Sequence, residues 1–323
     1  MSINRRAVLA SVVPLLAASG VWAQGWRAER PLRLIVTYPP GGVTDIVGRI
    51  IGDALAREVG QPVVIENRAG AGGNIGTLAA AQSEPDGLTL MLGTAAIYGV
   101  NPLVYPRSGV VALRDFSTIG VVGEVANVLS VVPDRLPGVR DAAGLIAEAR
   151  RRPLTVGSVG NGSSSHLSAT VLFRSAGIEA THVPYRGSAP LVAALLAKEV
   201  DFAFDTTATS TAHVRSGGIR ALGVTSARRA ASLPEVPTLM EQGLSAFDLG
   251  AWFNLAVPVR TPAPIVAALR EALARARTAQ TDVRLRGAFV DPLSVPPGEM
   301  TDWIAASTAR WLAIAQEAGV ALG

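Results

Sequence analysis

An α/β fold of two lobes, each a mostly parallel sheet flanked by helices, is what three observations predict. Short β-branched apolar runs alternate along the chain with stretches of helical periodicity, the pattern of parallel strands joined by crossover helices. The length, 323 residues, gives room for about two domains of roughly 150 residues each. Two strand–glycine–helix turns stand well apart, Pro39-Pro40-Gly41-Gly42-Val43-Thr44-Asp45 after Leu32-Arg33-Leu34-Ile35-Val36-Thr37, and Gly160-Asn161-Gly162-Ser163-Ser164-Ser165-His166 after Leu154-Thr155-Val156. A strand that turns through glycines into a helix leaves the first N–H groups of that helix free. Those donors and the helix dipole favour an anion, so two such turns suggest two lobes closing on one small anionic ligand.

The elements follow in order. Strands are expected at 33–37, 62–66, 88–92, 116–122 and 128–132, with helices at 45–58 and 74–82. In the first helix Ile46, Ile50, Ile51 and Leu55 form the apolar stripe, and Gly60 supplies the C-cap. Residues 67–76 read as a glycine-rich turn. A second block runs helix 139–151, strand 155–158, helix 163–175, strand 181–185, helix 189–197, strand 200–204, helix 207–215 and strand 219–225. The apolar run 252–257 and helices at 264–276, 283–289 and 297–319 complete the chain, the last with Met300, Trp303, Ile304, Trp311 and Ile314 at the spacing of a core-facing stripe. The strands are nearly continuous apolar runs, as in sheets covered on both faces. The chain is expected to leave the first lobe between Val121 and Leu129 and to return between Val224 and Trp252. That places lobe one at 24–124, lobe two at 125–227 and a return segment of lobe one at 228–323.

Composition narrows the function classes. Charged residues are 17%, below the usual quarter, on a chain with 49% apolar residues, which fits a folded protein with an aliphatic core. The formal charge of +4 rests on scattered arginines, Lys198 being the only lysine and Arg150-Arg151-Arg152 the longest run; a nucleic-acid partner would need clustered charge and is not expected. Cysteine is absent, which excludes disulfides, thiolate metal sites and a cysteine nucleophile. His166, His182 and His213 have no metal spacing, and no G-x-S-x-G frames Ser163–Ser165. In Gly70-Ala71-Gly72-Gly73-Asn74-Ile75-Gly76, Ile75 takes the third glycine position of a dinucleotide turn. No cofactor is expected.

Arg5-Arg6, the apolar run 7–18 and Val21-Trp22-Ala23 read as a cleaved signal peptide over residues 1–23, either twin-arginine or ordinary secretory. Its removal takes the charge from +4 to +2. No later stretch reaches the roughly 18 apolar residues of a membrane span.

Ligands of open parallel sheets bind beyond the carboxyl ends of the strands. There the sequence places Gly41-Gly42-Val43-Thr44-Asp45, Gly93-Thr94-Ala95-Ala96, Gly160-Asn161-Gly162-Ser163-Ser164-Ser165-His166, Tyr185-Arg186-Gly187-Ser188 and Asp205-Thr206-Thr207. Glycines, hydroxyls and single charges gather at these ends while the core is aliphatic, which points to one polar cleft and to a binding protein ahead of an enzyme. Several residues keep two readings. Asp45 orders its own turn or meets a ligand amine or hydroxyl. Thr44, Ser163 and Ser164 are N-cap candidates, a role compatible with ligand contact. His166 is a hydrogen-bonded structural residue or a ligand contact. Asp205 ends an apolar strand, where a carboxylate needs partners, in a ligand or in a hinge. Tyr38 and Tyr185 wall the cleft or cover core.

Tyr38-Pro39-Pro40-Gly41-Gly42 with Thr44-Asp45, Glu66-Asn67-Arg68 with Gly70-Ala71-Gly72-Gly73-Asn74, Pro85-Asp86-Gly87, Asn101-Pro102, Gly160-Asn161-Gly162, Ser164-Ser165-His166-Leu167, Val183-Pro184-Tyr185 with Gly187-Ser188, Val236-Pro237-Thr238 and Trp252-Phe253 run through essentially the whole mature chain. In these the chain resembles the solute-binding receptors of the tripartite tricarboxylate transporter family, also called Bug-type periplasmic binding proteins. The resemblance implies a two-lobed periplasmic-binding-protein fold of Venus flytrap, type II-like form. It also implies a periplasmic monomer without cofactor that captures a small organic carboxylate, a di- or tricarboxylate or related acid, and delivers it to membrane permease subunits. Carried over by residue, it points to backbone and hydroxyl contacts, partly through water, at Gly42, Thr44, Asp45, Thr94, Ser163, Ser164, His166 and Asp205. Tyr38, Gly41, Val43, Ala95, Asn161, Tyr185 and Gly187 complete the expected ligand-binding set. Ile97-Tyr98 stands where many relatives have Thr-His, Val43 is bulkier than usual, and Thr206-Thr207 and Asn254 also depart from the pattern near the expected cleft, so no ligand identity is carried over. The alternatives from other classes are an exported enzyme acting on a carboxylate in the same cleft and a ligand sensor docking on a signalling receptor.

Overall fold

The computed structural model describes residues 26–320; the signal peptide expected at residues 1–23 lies outside them. The chain first lays down β1 (Leu32–Val36), α1 (Val43–Val59), β2 (Val63–Asn67), α2 (Asn74–Ala81), β3 (Thr89–Thr94), three short helices α3 (Ala95–Gly99), α4 (Asn101–Val104) and α5 (Ala112–Asp115), and β4 (Phe116–Val125). It then builds β5 (Asn127–Val131), α6 (Ala142–Arg151), β6 (Thr155–Ser158), α7 (Ser164–Ala176), β7 (Thr181–Pro184), α8 (Ser188–Leu196), β8 (Phe202–Thr206), α9 (Thr207–Arg215) and β9 (Arg220–Val224). It returns with β10 (Ala251–Pro258), α10 (Ala263–Ala276), α11 (Ala279–Gly287) and α12 (Met300–Glu317).

These strands form two five-stranded sheets, ordered β2-β1-β3-β10-β4 and β7-β6-β8-β5-β9. β1 runs parallel to β2 and β3, and β10 antiparallel to β3 and β4. In the second sheet β6 is parallel to β7 and β8, and β5 antiparallel to β8 and β9. Each sheet is therefore mostly parallel, as expected, with one opposing strand. That strand is the one that has just crossed over: β5 enters the second sheet straight after β4 of the first, and β10 enters the first sheet after β9 of the second. The two crossings lie side by side. Asn127 N–H donates to Thr225 Oγ1 (3.0 Å), Thr225 N–H to Asn127 O (3.0 Å), and Leu249 N–H to Thr225 O (2.9 Å).

Local chemistry explains where elements start and stop. The α1 helix ends at Gly60 in the left-handed region (φ 70°), whose N–H closes on Ala56 O, the αL cap that glycine provides. The helix expected at 139–151 begins only at Ala142, because Asp141 caps it by accepting from Gly144 N–H (2.7 Å). Likewise α11 starts at Ala279 rather than 283, since Thr278 accepts from Thr281 N–H, and the last helix starts at Met300 rather than 297. In α12, Met300, Ile304 and Trp311 are buried and Trp303 and Ile314 partly so, which makes the stripe core. Trp252 on β10 packs against it, its indole N–H donating to Ser307 Oγ (2.7 Å). Helices α3 to α5 fill a stretch, 95–115, for which the sequence predicts no element.

Candidate functional site

Three helices present uncapped N-terminal amides to one cavity between the sheets. In α1 the first intrahelical bond is Ile46 N–H to Gly42 O, so the N–H groups of Val43, Thr44 and Asp45 have no partner among the described residues; Gly42, the N-cap, offers no side chain. In α7, Ser163 caps its own helix by accepting from His166 N–H (3.2 Å), which leaves the Ser164 and Ser165 amides without a partner among the described residues. In α8 the N-cap is Gly187, and the amides of Ser188 and Ala189 have no partner among the described residues. All three begin at the carboxyl ends of parallel strands, β1, β6 and β7.

The cavity they face measures about 70 Å³. One water needs roughly 10–15 Å³ on the same measure, so the space suits a ligand of several heavy atoms. Tyr38, Pro39, Pro40, Gly42, Val43 and Thr44 line it from the β1–α1 turn, Thr94 and Ala96 from the end of β3, and Val125, Ala251 and Phe253 from the crossing strands. Val159, Ser163 and Ser164 come from the β6–α7 turn, residues 186–190 from the β7–α8 turn, and Thr206 from the end of β8. The polar groups of the wall are hydroxyls and amides, and Arg186 is its only charged side chain. Thr94 Oγ1 is buried with no hydrogen-bond partner among the described residues.

Of the residues singled out from the sequence, Tyr38, Gly42, Val43, Thr44, Thr94, Ser163, Ser164 and Gly187 lie on this wall. Burial raises the Tyr38 phenol to about 12, so it is neutral, and its hydroxyl donates to Gly72 O (3.2 Å). Gly41, Asp45, Ala95, Asn161, His166, Tyr185 and Asp205 do not line the cavity, each for a visible reason. Asp45 is buried and spent on its own turn. It accepts from Gly41 N–H (3.1 Å), Arg49 Nε (3.0 Å) and Asn67 Nδ2 (3.0 Å). Burial raises its pKa, and these bonds with the Arg49 charge outweigh burial, so the carboxyl sits below the usual range. Gly41 is thereby part of the same turn. Ala95 is fully buried, and its neighbour Ala96 takes the wall position.

His166 turns away from the cavity and stacks on His182 at 4.5 Å. Its Nδ1 accepts from Gly162 N–H (3.2 Å), and burial, helped by the His182 charge, lowers its pKa to about 4. His182 Nε2 in turn meets Ser158 Oγ at 2.6 Å. The pair is neutral and supports the glycine loop from behind. Tyr185 is half-buried and packs against the core of the second lobe. Asp205 is buried behind Ser188 and Thr209, whose hydroxyls donate to it at 2.7 and 2.5 Å; burial pushes its pKa up against those bonds. Among the departures from the family pattern, Val43 and Thr206 line the cavity, whereas Asn254 and Tyr98 are core and bond each other, Asn254 Nδ2 donating to Tyr98 Oη (2.8 Å).

Pro39, Pro40, Arg186, Ser188 and Thr206 line the site although they fall outside the ligand-binding set expected from the sequence, and they stand inside the turns read from it. Val125, Ala251 and Phe253 carry no local signal, because only the exchange of strands between sheets brings them to the cleft.

The lobes touch beside the cavity. Tyr105 Oη of the first lobe donates to Asn161 O of the second (3.1 Å), while within the first lobe Asn101 Nδ2 donates to Gly72 O (3.0 Å). Gly162, at φ +76°, sits so close that an added Cβ would lie 2.6 Å from Asn101 Oδ1 and 2.9 Å from Tyr105 Cε2. Asn161 is therefore a lobe-to-lobe contact through its carbonyl.

A model of the tripartite tricarboxylate transporter family receptor matches residues 47–320. Protein BugT of Bordetella pertussis is 33% identical, over 99% of each chain. Among solved structures, Rpa4515 of R. palustris, described with adipate, superposes with a TM-score of 0.84 at 36% identity over 90% of this chain and 98% of that one. MatC (Rpa3494) of Rhodopseudomonas palustris, described with bound malate, gives 0.80 at 29% identity over 88% and 99%.

Proposed function

The chain belongs to the tripartite tricarboxylate transporter receptor family, and from that premise we propose that it captures a small organic carboxylate in the cavity between its lobes and hands it to the permease subunits of such a transporter. It is a solute-binding receptor, as its family is. The observation that carries the carboxylate is the convergence of three helix N-termini, each with amides unpartnered among the described residues, on a cavity with no acidic side chain on its wall. Each helix end favours negative charge, and an anion there meets N–H and hydroxyl donors in place of the water it leaves. Adipate and malate, named with two of the solved relatives, are acids of this kind. Tyr38, Gly42, Val43, Thr44, Thr94, Ser163, Ser164 and Gly187 form the contact surface in this reading, joined by Ser188 and Thr206.

Binding without turnover fits the same wall. A general base must reach the proton it removes, and the buried carboxylates Asp45 and Asp205 are held by partners behind the surface while His166 faces His182. The protein works in the periplasm as a monomer after removal of residues 1–23; no helix among the described residues is long and apolar enough to cross a membrane.

The test is thermal unfolding of residues 24–323 against mono-, di- and tricarboxylates and aromatic acids, each beside its neutral amide. A ligand at about 100 times its Kd adds roughly 2.7 kcal/mol, a shift of about 2–4 °C at this size. The expected result is a shift with one class of acid, none with the amides, and no product on prolonged incubation. Shifts with amides alone, or turnover of the bound acid, would remove the reading.

A further inference from the structure

We propose that Arg186 selects a second, distal carboxylate, so that the preferred ligand is an α,ω-dicarboxylate rather than a monoacid or an amino acid. The inference rests on the carboxylate reading above and adds what the far end of the ligand must be.

The cavity is layered by burial. Thr44, Thr94, Ser163 and Ser188 are buried, and all are neutral donors. Val43 and Phe253, also buried, give that floor apolar sides. Arg186 is exposed and is the one charged residue among those lining the same cavity, and in this reading its guanidinium stands at the rim. A ligand whose first carboxylate sits on the helix ends therefore runs an unsubstituted carbon chain past apolar walls and brings its other end to a guanidinium. That guanidinium makes no hydrogen bond or ion pair among the described residues, unlike Arg49 and Arg152, which are bound to carboxylates. A planar fork of donors matches a carboxylate bidentately.

The backbone holds the cation there. Gly187, at φ +109°, is the N-cap of α8, so the turn that frees the Ser188 and Ala189 amides carries Arg186 one residue outside them. The opposite chemistry is missing. An ammonium group would need a carboxylate on the wall, and Asp45 and Asp205 are both engaged elsewhere, by Arg49, Gly41 and Asn67 and by Ser188 and Thr209. Amino acids are disfavoured for that reason.

The experiment is titration calorimetry with the straight-chain dicarboxylates of four to seven carbons and the monoacids of equal length, on the unaltered protein, Arg186→Ala and Arg186→Lys. Arg186 is exposed and unpartnered, so both variants should keep the unfolding midpoint of the parent, which the same samples report. The expected result is a dicarboxylate bound about tenfold or more tighter than its monoacid, a loss of that factor in Arg186→Ala with monoacid affinity within about twofold, and partial recovery in Arg186→Lys, which restores charge without the fork. Equal losses for mono- and dicarboxylates, or no loss for either, would overturn the role of Arg186 and leave the carboxylate site standing. An unaltered protein that binds no acid of either series would overturn the carboxylate reading itself, and this inference with it.

Discussion

His166 is neutral in the folded protein because the ring is packed against His182 and its Nδ1 is occupied by the Gly162 amide. Its pKa is lowered to about 4 from an ordinary 6.5, so the unfolded chain binds a proton in that interval that the folded chain does not. Stability tied to His166 is therefore full above pH 6.5 and is lost as the pH falls toward 4, by about 3 kcal/mol at most. Asp205 acts in the opposite sense: its raised pKa favours the fold at low pH and costs stability as the pH rises through that value. Urea unfolding at pH 7 and pH 4.5 should show the histidine loss in the parent and a smaller one in His166→Asn, whose amide oxygen can still accept from Gly162; an unchanged loss would assign it to other groups. From sequence, Asp45, His166 and Asp205 each carried two readings, and the structure gives each of them protein partners. Nothing local reveals that Arg49 or His182 will be the partner, because that depends on which faces the fold brings together.

At the scale of elements, the turns Gly41-Gly42 and Gly160-Asn161-Gly162 were legible as helix-opening loops, and α1 and α7 begin there. The stretch 95–115 was not legible. Helices of four or five residues are unstable alone, and α3 exists because it packs on α12, where a Cβ on Gly99 would lie 2.4 Å from Trp311 Cβ. The glycine loop before α7 has a second task, the contact between lobes. Gly162→Ala puts a methyl group against Asn101 and Tyr105 and a side chain at a positive φ, where non-glycine residues are disfavoured. It should oppose the juxtaposed lobes seen here and raise the apparent Kd for the bound acid severalfold, since affinity scales with the fraction of protein in the competent state. Calorimetry of this variant beside Tyr105→Phe, which lacks only the hydroxyl that reaches Asn161, checks the expectation. Unchanged affinity in both would mean that this contact does not hold the lobes together over a ligand.

At the scale of the molecule, the strand–helix alternation indicated two mostly parallel sheets, and the two places where the chain changes sheet fall near 126 and between 224 and 251. Their consequence was hidden. Inserting β5 and β10 as the lone opposing strands sets Val125, Ala251 and Phe253 on the cavity wall, a long-range outcome that no window of sequence contains. The paired crossings, bonded through Asn127, Thr225 and Leu249, are also the only strand-to-strand links between sheets among the described residues, the natural place for a hinge. Ligand-driven closure about it requires tighter binding in the closed state, which the shared cavity supplies because all three helix ends reach an anion only when the lobes meet. The measurement that tests this most directly is titration calorimetry of one bound carboxylate beside its own primary amide, equal in shape and lacking the charge. The acid should bind with a negative heat-capacity change and the amide at least about a hundredfold more weakly; an amide that binds as tightly as the acid would contradict an anion site built from helix N-termini.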